Sequence, residues 1–149
     1  MKITPTAINR FTLFRLPAAY FTGVRVRAVS DESCKVGVRL KWANRNPFRS
    51  MFWAVQGMAA ELSTGVLLMR TLSQKKIKAS MLVVETKATF SKKALGKIVF
   101  DCTQGAEVAK VIENAAQEPQ QVWLYAKGIN EAGDEVSSFS FLWSIKVKN

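Results

Sequence analysis

The chain of 149 residues contains no histidine. That absence rules out a Ser-His-Asp triad or a Cys-His pair. General acid–base work is left to Asp, Glu, Lys or Tyr. Cysteine is nearly as scarce. Cys34 and Cys102 are the only two, so a zinc site would need carboxylates at no recognisable spacing. No metal is expected. Both cysteines lie in strand-like runs and read as buried, inert thiols rather than a disulfide or a reactive site. The opening Met1-Lys2-Ile3-Thr4-Pro5 lacks the apolar core of a signal peptide. With two unpaired cysteines, that points to a cytoplasmic protein. Low-complexity runs and internal repeats are also missing.

Acidic residues are in short supply, 11 against 22 Lys and Arg, for a net charge of +11. This balance favours anionic partners, either nucleic acid or the phosphates of a coenzyme. The same residues also read as a solvated, solubilising surface, because they are spread along the chain. The densest clusters are Lys75-Lys76-Ile77-Lys78 and Ser91-Lys92-Lys93. No helix-turn-helix, zinc-finger or glycine-aromatic RNA-binding motif accompanies them, so nucleic acid is the weakest of the readings.

The length fits one domain spanning residues 1–149. Residues 6–16 suit a short amphipathic helix ended by Pro17, within an N-terminal extension over 1–19. Strict alternation of apolar and polar residues over 24–29 and 34–41 predicts half-buried antiparallel strands. Further strands are predicted at 81–90, 95–103, 121–129 and 135–147, with a short helix at 106–116. In the last strand Phe139, Phe141, Trp143, Ile145 and Val147 share one face.

Between these strands lies a long apolar stretch, residues 50–69, in which Glu61 is the only charge. A helix is predicted at about 47–71, with Asn46 as its N-cap and Pro47 in its first turn. A helix apolar on nearly every side is expected to be buried on nearly every side. A carboxylate there must be paired, reached by a cleft, or neutralised by a raised pKa. Glu61 is therefore the strongest functional candidate. The stretch is about long enough to span a membrane, but Glu61 near its centre and Gln56, Ser63 and Thr64 argue against a span. Gly57, Glu61 and Gly65 fall on one helix face. Small residues around an acid leave room either for a ligand or for close helix–sheet packing. Thr64 could bond Glu61 or bond back to its own helix.

The order of elements gives an α+β layout, an antiparallel sheet wrapped around one long central helix. It resembles the hotdog fold, with an added N-terminal helix, over roughly residues 20–147. The chain looks similar to an uncharacterised branch of hotdog domains related to phenylacetyl-CoA-type acyl-CoA thioesterases. In those enzymes the helix carries an acid followed four residues later by glycine, as Glu61 and Gly65 do here, and an asparagine about fifteen residues before the acid, as Asn46 is here. Their His-Gly-Gly motif is replaced by Phe52, Trp53 and Ala54.

The resemblance implies hydrolysis of a thioester, with Glu61 as general base or nucleophile and Asn46 orienting the carbonyl or the water. Backbone N–H groups near Trp53 and Ala54 would hold the oxyanion, with Gly57, Thr64 and Gly65 lining the substrate. The substrate would be an acyl-CoA or an acyl-carrier-protein thioester. Coenzyme A would be part of the substrate and not a resident cofactor; Lys75, Lys76 and Lys78 would meet its phosphates, with Arg70, Lys92 and Lys93 as further candidates. A homodimer or tetramer is implied, with active sites at the interface. The alternative is a non-catalytic acyl-CoA or fatty-acyl binder, motivated by the missing His-Gly-Gly and by aromatic Phe48, Phe52 and Trp53 at the helix start.

Overall fold

The structure, a computed structural model, describes residues 2–149. A six-stranded sheet is built from β1 (Arg25–Val29), β2 (Cys34–Arg39), β3 (Ala79–Phe90), β4 (Lys97–Cys102), β5 (Gln120–Ile129) and β6 (Glu135–Val147). Their order is β1-β2-β4-β5-β6-β3, and every neighbouring pair is antiparallel. The long helix α3 (Trp53–Gln74) packs against one face of the sheet. This is the hotdog arrangement. Helices α1 (Pro5–Arg15) and α2 (Pro17–Phe21) precede the sheet, and α4 (Gly105–Ala115) lies between β4 and β5.

The alternation read from the sequence sets which side faces the helix. Val36 and Val38 of β2, Ile98 and Phe100 of β4, Leu124 and Ala126 of β5, and Phe139, Trp143 and Ile145 of β6 are all buried. They meet Val55, Ala59, Ala60, Val66, Leu67 and Leu68 of α3 in one core. Burying side chains of this size contributes about 1.5–3 kcal/mol each. Cys34 and Cys102 face each other across β2 and β4 inside this core, and burial pushes their thiols up to about 12 and about 11. They are the inert thiols expected.

Most element ends lie within one or two residues of the sequence reading, and the departures that bear on the site are at α2 and at the two ends of α3. Pro17 does more than end the first helix: it occupies the first turn of α2, where its missing N–H costs nothing, so the helical extension reaches Phe21. The central helix starts six residues later than expected, at Trp53 rather than 47, and runs three further, to Gln74. Asn46 is therefore not its N-cap. Residues 45–51 instead form a loop closed by an Arg45–Met51 bridge, and Met51 N–H donates to Ala94 O at 2.9 Å. That tertiary contact, absent from any local pattern, holds the segment out of the helix.

Among the described residues, no helix is long and apolar enough to cross a membrane. The two edges of the sheet are β1 and β3. β3 is 12 residues long, with Leu82 and Val84 exposed.

Candidate active site

Burial of α3 is complete on the sheet side and from Ser63 to Leu68, but not all round. Trp53 and Glu61 are exposed, and Gly57, Met58 and Leu62 are half-buried. These residues recur at the i, i+4, i+8 spacing of a single stripe. The expectation of a helix buried on nearly every side fails along this stripe, where the structure leaves the helix uncovered.

Glu61 sits in a depression of about 210 Å³ lined by Leu16, Ala18, Ala19, Met58, Leu62, Gly65, Met69, Met81 and Trp143. Its carboxylate makes no hydrogen bond or ion pair among the described residues. The apolar walls raise its pKa above the ordinary glutamate value by desolvation. One side stays open to solvent, so the carboxyl is crowded rather than sealed. Leu16, Ala18 and Ala19 come from the N-terminal extension, so that segment helps to build the site.

The second feature is a cleft of about 790 Å³ at the start of α3, lined by Arg45, Asn46, Phe48, Phe52, Trp53 and Gln56 on one side and Phe90, Lys92 and Lys93 on the other. Phe52 precedes the helix with no capping side chain. The N–H groups of Trp53 and Ala54 have no internal partner among the described residues, while those of Val55 and Gln56 reach back to Phe52 O. Two unused N–H donors at a helix start favour a negative charge in front of them.

Asn46 lines this cleft, but its amide is largely committed to its own loop. Oδ1 accepts from Phe48 N at 2.9 Å and Ser50 N at 3.2 Å, and Nδ2 donates to Ser50 Oγ at 3.1 Å. The remaining candidates separate by place. Packing does not demand glycine at Gly57 or Gly65: a Cβ would meet the Phe139 ring or the Trp143 ring at 3.4 Å, an ordinary van der Waals contact. Gly65 also floors the Glu61 depression. Thr64 is fully buried. Its hydroxyl donates to Glu61 O at 2.8 Å and accepts from Trp143 Nε1 at 2.9 Å. It back-bonds to the helix and anchors the indole, and no ligand can reach it. Lys75, Lys76 and Lys78 lie at or beyond the C-terminal end of α3, and Lys75 is about 33 Å along the axis from Trp53. A single chain does not bring them to the cleft. Arg70 is occupied by Asp31 at 2.9 Å and Ile3 O at 3.0 Å.

In the sequence Gln56 is a lone amide in an apolar run, a weak candidate, and Arg45, Ser50 and Phe90 are not among the candidates, yet all four line the cleft. Nothing local marks those three; the loop closure and the end of β3 bring them together. Among the described residues, no group of three His, Cys, Asp or Glu could hold a metal.

The family of domains of unknown function DUF4442 matches residues 6–145. The chain belongs to that family. The match takes in α1, so the N-terminal helix lies inside the family's domain and not outside it. No curated protein matches the sequence. Among solved structures, a protein of unknown function from Chlorobaculum tepidum superposes with TM-score 0.85 at 18% identity, covering 99% of both chains. A Pseudomonas aeruginosa protein of unknown function, named a probable thioesterase, gives 0.82 at 18% identity, again over 99% of both chains. A thioesterase from Haemophilus influenzae gives 0.75 at 11% identity, over 99% of this chain and 93% of that one. At these identities the likeness establishes the shared hotdog fold.

Proposed function

We propose that the protein is a thioesterase acting on an acyl-CoA or acyl-carrier-protein thioester, with Glu61 as its acid–base residue or nucleophile. The observation that carries this reading is the Glu61 carboxylate itself, unpartnered in an apolar depression on the open stripe of a hotdog helix. Its similarity to structures named as thioesterases adds support.

In the general-base form, Glu61 takes a proton from water as the oxygen attacks the thioester carbon. The N–H groups of Trp53 and Ala54 hold the resulting oxyanion. Collapse breaks the C–S bond, and the thiolate leaves with the proton from Glu61. In the nucleophilic form, the carboxylate attacks the thioester carbon and the C–S bond breaks, releasing the thiolate and leaving a mixed anhydride. Water then hydrolyses the anhydride to the free acid and the Glu61 carboxylate, and a proton from that water goes to the thiolate. Asn46 fixes the loop before the helix, and its remaining Nδ2 hydrogen can orient carbonyl or water.

Trp53 and Glu61 are about 12 Å apart along the helix axis and line separate depressions. One carbonyl cannot contact both within a chain. A homodimer resolves this if antiparallel copies of α3 face each other, so that the acid of one serves the helix start of the other. The free β3 edge, 12 residues long with Leu82 and Val84 exposed, is a surface for such pairing. The phosphates of coenzyme A would meet Arg45 and Lys93 at the cleft rim, where Lys92 is already paired with Asp134 at 3.0 Å, rather than the distant Lys75, Lys76 and Lys78.

A hydrolysis screen over short, aromatic and long acyl-CoA thioesters, wild type beside Glu61→Gln, tests the reading. Turnover reduced at least about a hundredfold in the mutant is expected. Full activity in Glu61→Gln would remove the acid from the mechanism. A non-catalytic acyl binder is the second reading, favoured by the commitment of the Asn46 amide to Phe48 and Ser50. It predicts acyl-chain binding with no turnover on any substrate.

A further inference from the structure

The cleft at the start of α3 holds one polar atom that the fold leaves unused. Gln56 is only 4% exposed, and its Oε1 is buried with no hydrogen-bond partner. Its Nε2 donates to Met51 O at 3.3 Å. A backbone carbonyl can only accept, so the amide cannot turn over without setting two oxygens against each other. Gln56 lines the cleft, so Oε1 is held as an unmet acceptor just beneath its wall, reached by a ligand donor through a small outward shift of the side chain. Around it the lining is aromatic, from Phe48, Phe52, Trp53 and Phe90, and the rim is cationic. An unmet buried acceptor is costly unless a ligand satisfies it.

We propose that Gln56 is the specificity-determining residue of this cleft, and that the cleft selects ligands carrying an O–H or N–H donor over their otherwise identical counterparts without one. The inference rests on the reading of this cleft as the thioester-binding half of the site, but it needs no hydrolysis. The donor has two chemical sources. One is a hydroxyl on the acyl chain, close to the thioester. The other is an amide N–H in the thiol arm, as in a pantetheine chain. Gln56 lies three residues beyond Trp53, about 4.5 Å further along the helix, within reach of either source once a thioester carbonyl faces the helix start. Oε1 accepts, the ligand donates, and the apolar remainder of the ligand lies against the aromatic walls. A ligand without the donor strands the oxygen in a dry site, the arrangement that gives hydrogen-bonding pockets their discrimination.

Stable thioethers separate binding from catalysis. One probe pair is S-decyl-CoA against S-(2-hydroxydecyl)-CoA. The second is S-decyl-N-acetylcysteamine against the ester analogue in which oxygen replaces its N–H. Affinities are measured by titration calorimetry on the wild type and on Gln56→Met, a substitution of similar volume, with melting curves confirming that the variant is folded. The expected result is a preference of at least about tenfold for the donor-bearing member of one pair, abolished in Gln56→Met while the donor-free member binds as before. The pair that shows it identifies the source. Equal affinities within both pairs would overturn the proposal, as would a preference that persists in Gln56→Met or a failure of every probe to bind. Loss of turnover in the hydrolysis screen alone would bear on the catalytic reading and leave this result standing.

Discussion

The two ends of α3 are built differently. At the C-terminal end the chain is closed on itself. Ser63 through Leu68 are all buried, Ile77 N–H returns to Leu72 O at 2.9 Å, and Lys76 takes the left-handed φ of 57° that such a closure requires. Arg70 and Gln74 both reach Asp31 Oδ1, at 2.9 and 2.8 Å, and the bonds from Gln74 and then Arg70 hold the Asp31 carboxyl below its ordinary value. At the N-terminal end nothing closes. There is no capping side chain, two N–H groups are unused, Phe52 and Trp53 are exposed, and Gln56 keeps a stranded oxygen. One helix thus divides its work: the closed end is architecture, and the open end leaves the backbone polarity that a ligand can use.

Substitutions at the two ends should therefore separate stability from function. The largest effect on stability is expected from Leu68→Ala in the closed half. It should cost about 2–5 kcal/mol and lower Tm by about 5–15 °C, with kcat/KM of the remaining folded protein unchanged. Trp53→Ala at the open end should do the reverse, altering acyl binding while Tm stays nearly constant; equal Tm losses at both positions would erase the contrast. Next is Thr64→Val, which leaves the Trp143 indole N–H without its acceptor and should cost about 1–3 kcal/mol in thermal unfolding.

Phe52→Ser should sharpen the contrast in the opposite sense. A serine cap would stabilise the protein by about 0.5–2 kcal/mol in denaturant titrations. It would also compete for first-turn N–H groups and so reduce turnover. A gain in both stability and activity would contradict the role given to those donors.

The smallest stability effect concerns Glu61. Its folded-state pKa lies above its unfolded value, so ionisation costs stability above the folded pKa, and the protein gains stability as pH falls through it. Glu61→Gln should therefore melt slightly higher than wild type at pH 8, with the gap closing below about pH 4.3, the ordinary glutamate value. The acidic limb of the wild-type pH–rate profile should likewise lie above that value. A mutant that melts lower than wild type at pH 8 would indicate a structural role for the carboxylate.

The sheet was legible in the sequence because its period is two. The predicted 121–129 and 135–147 differ from β5 and β6 by a single residue. The start of α3 was not. Asn46 and Pro47 carry good local signals for a helix start, but the Met51–Ala94 hydrogen bond and the Arg45–Met51 bridge give those residues another use. Glu61 stood out as one charge in an apolar run. Its open stripe could not be seen, because apolar residues that meet the sheet look the same as apolar residues that meet nothing. Thr64 shows the same limit: only the fold brings Trp143 to its hydroxyl.

The central claim is that the helix start of one copy works with Glu61 of another, and subunit mixing tests it most directly. Trp53→Pro removes one N–H donor at a position proline tolerates, since Phe52 already has φ −60° and ψ 133°. Alone, Trp53→Pro and Glu61→Gln should each be nearly inactive as thioesterases. After exchange of subunits in an equal mixture, half the dimers are mixed, and each mixed dimer carries one intact shared site. The account predicts recovery of about a quarter of wild-type activity. A mixture as inactive as its parents, with exchange confirmed by native mass spectrometry, would contradict it.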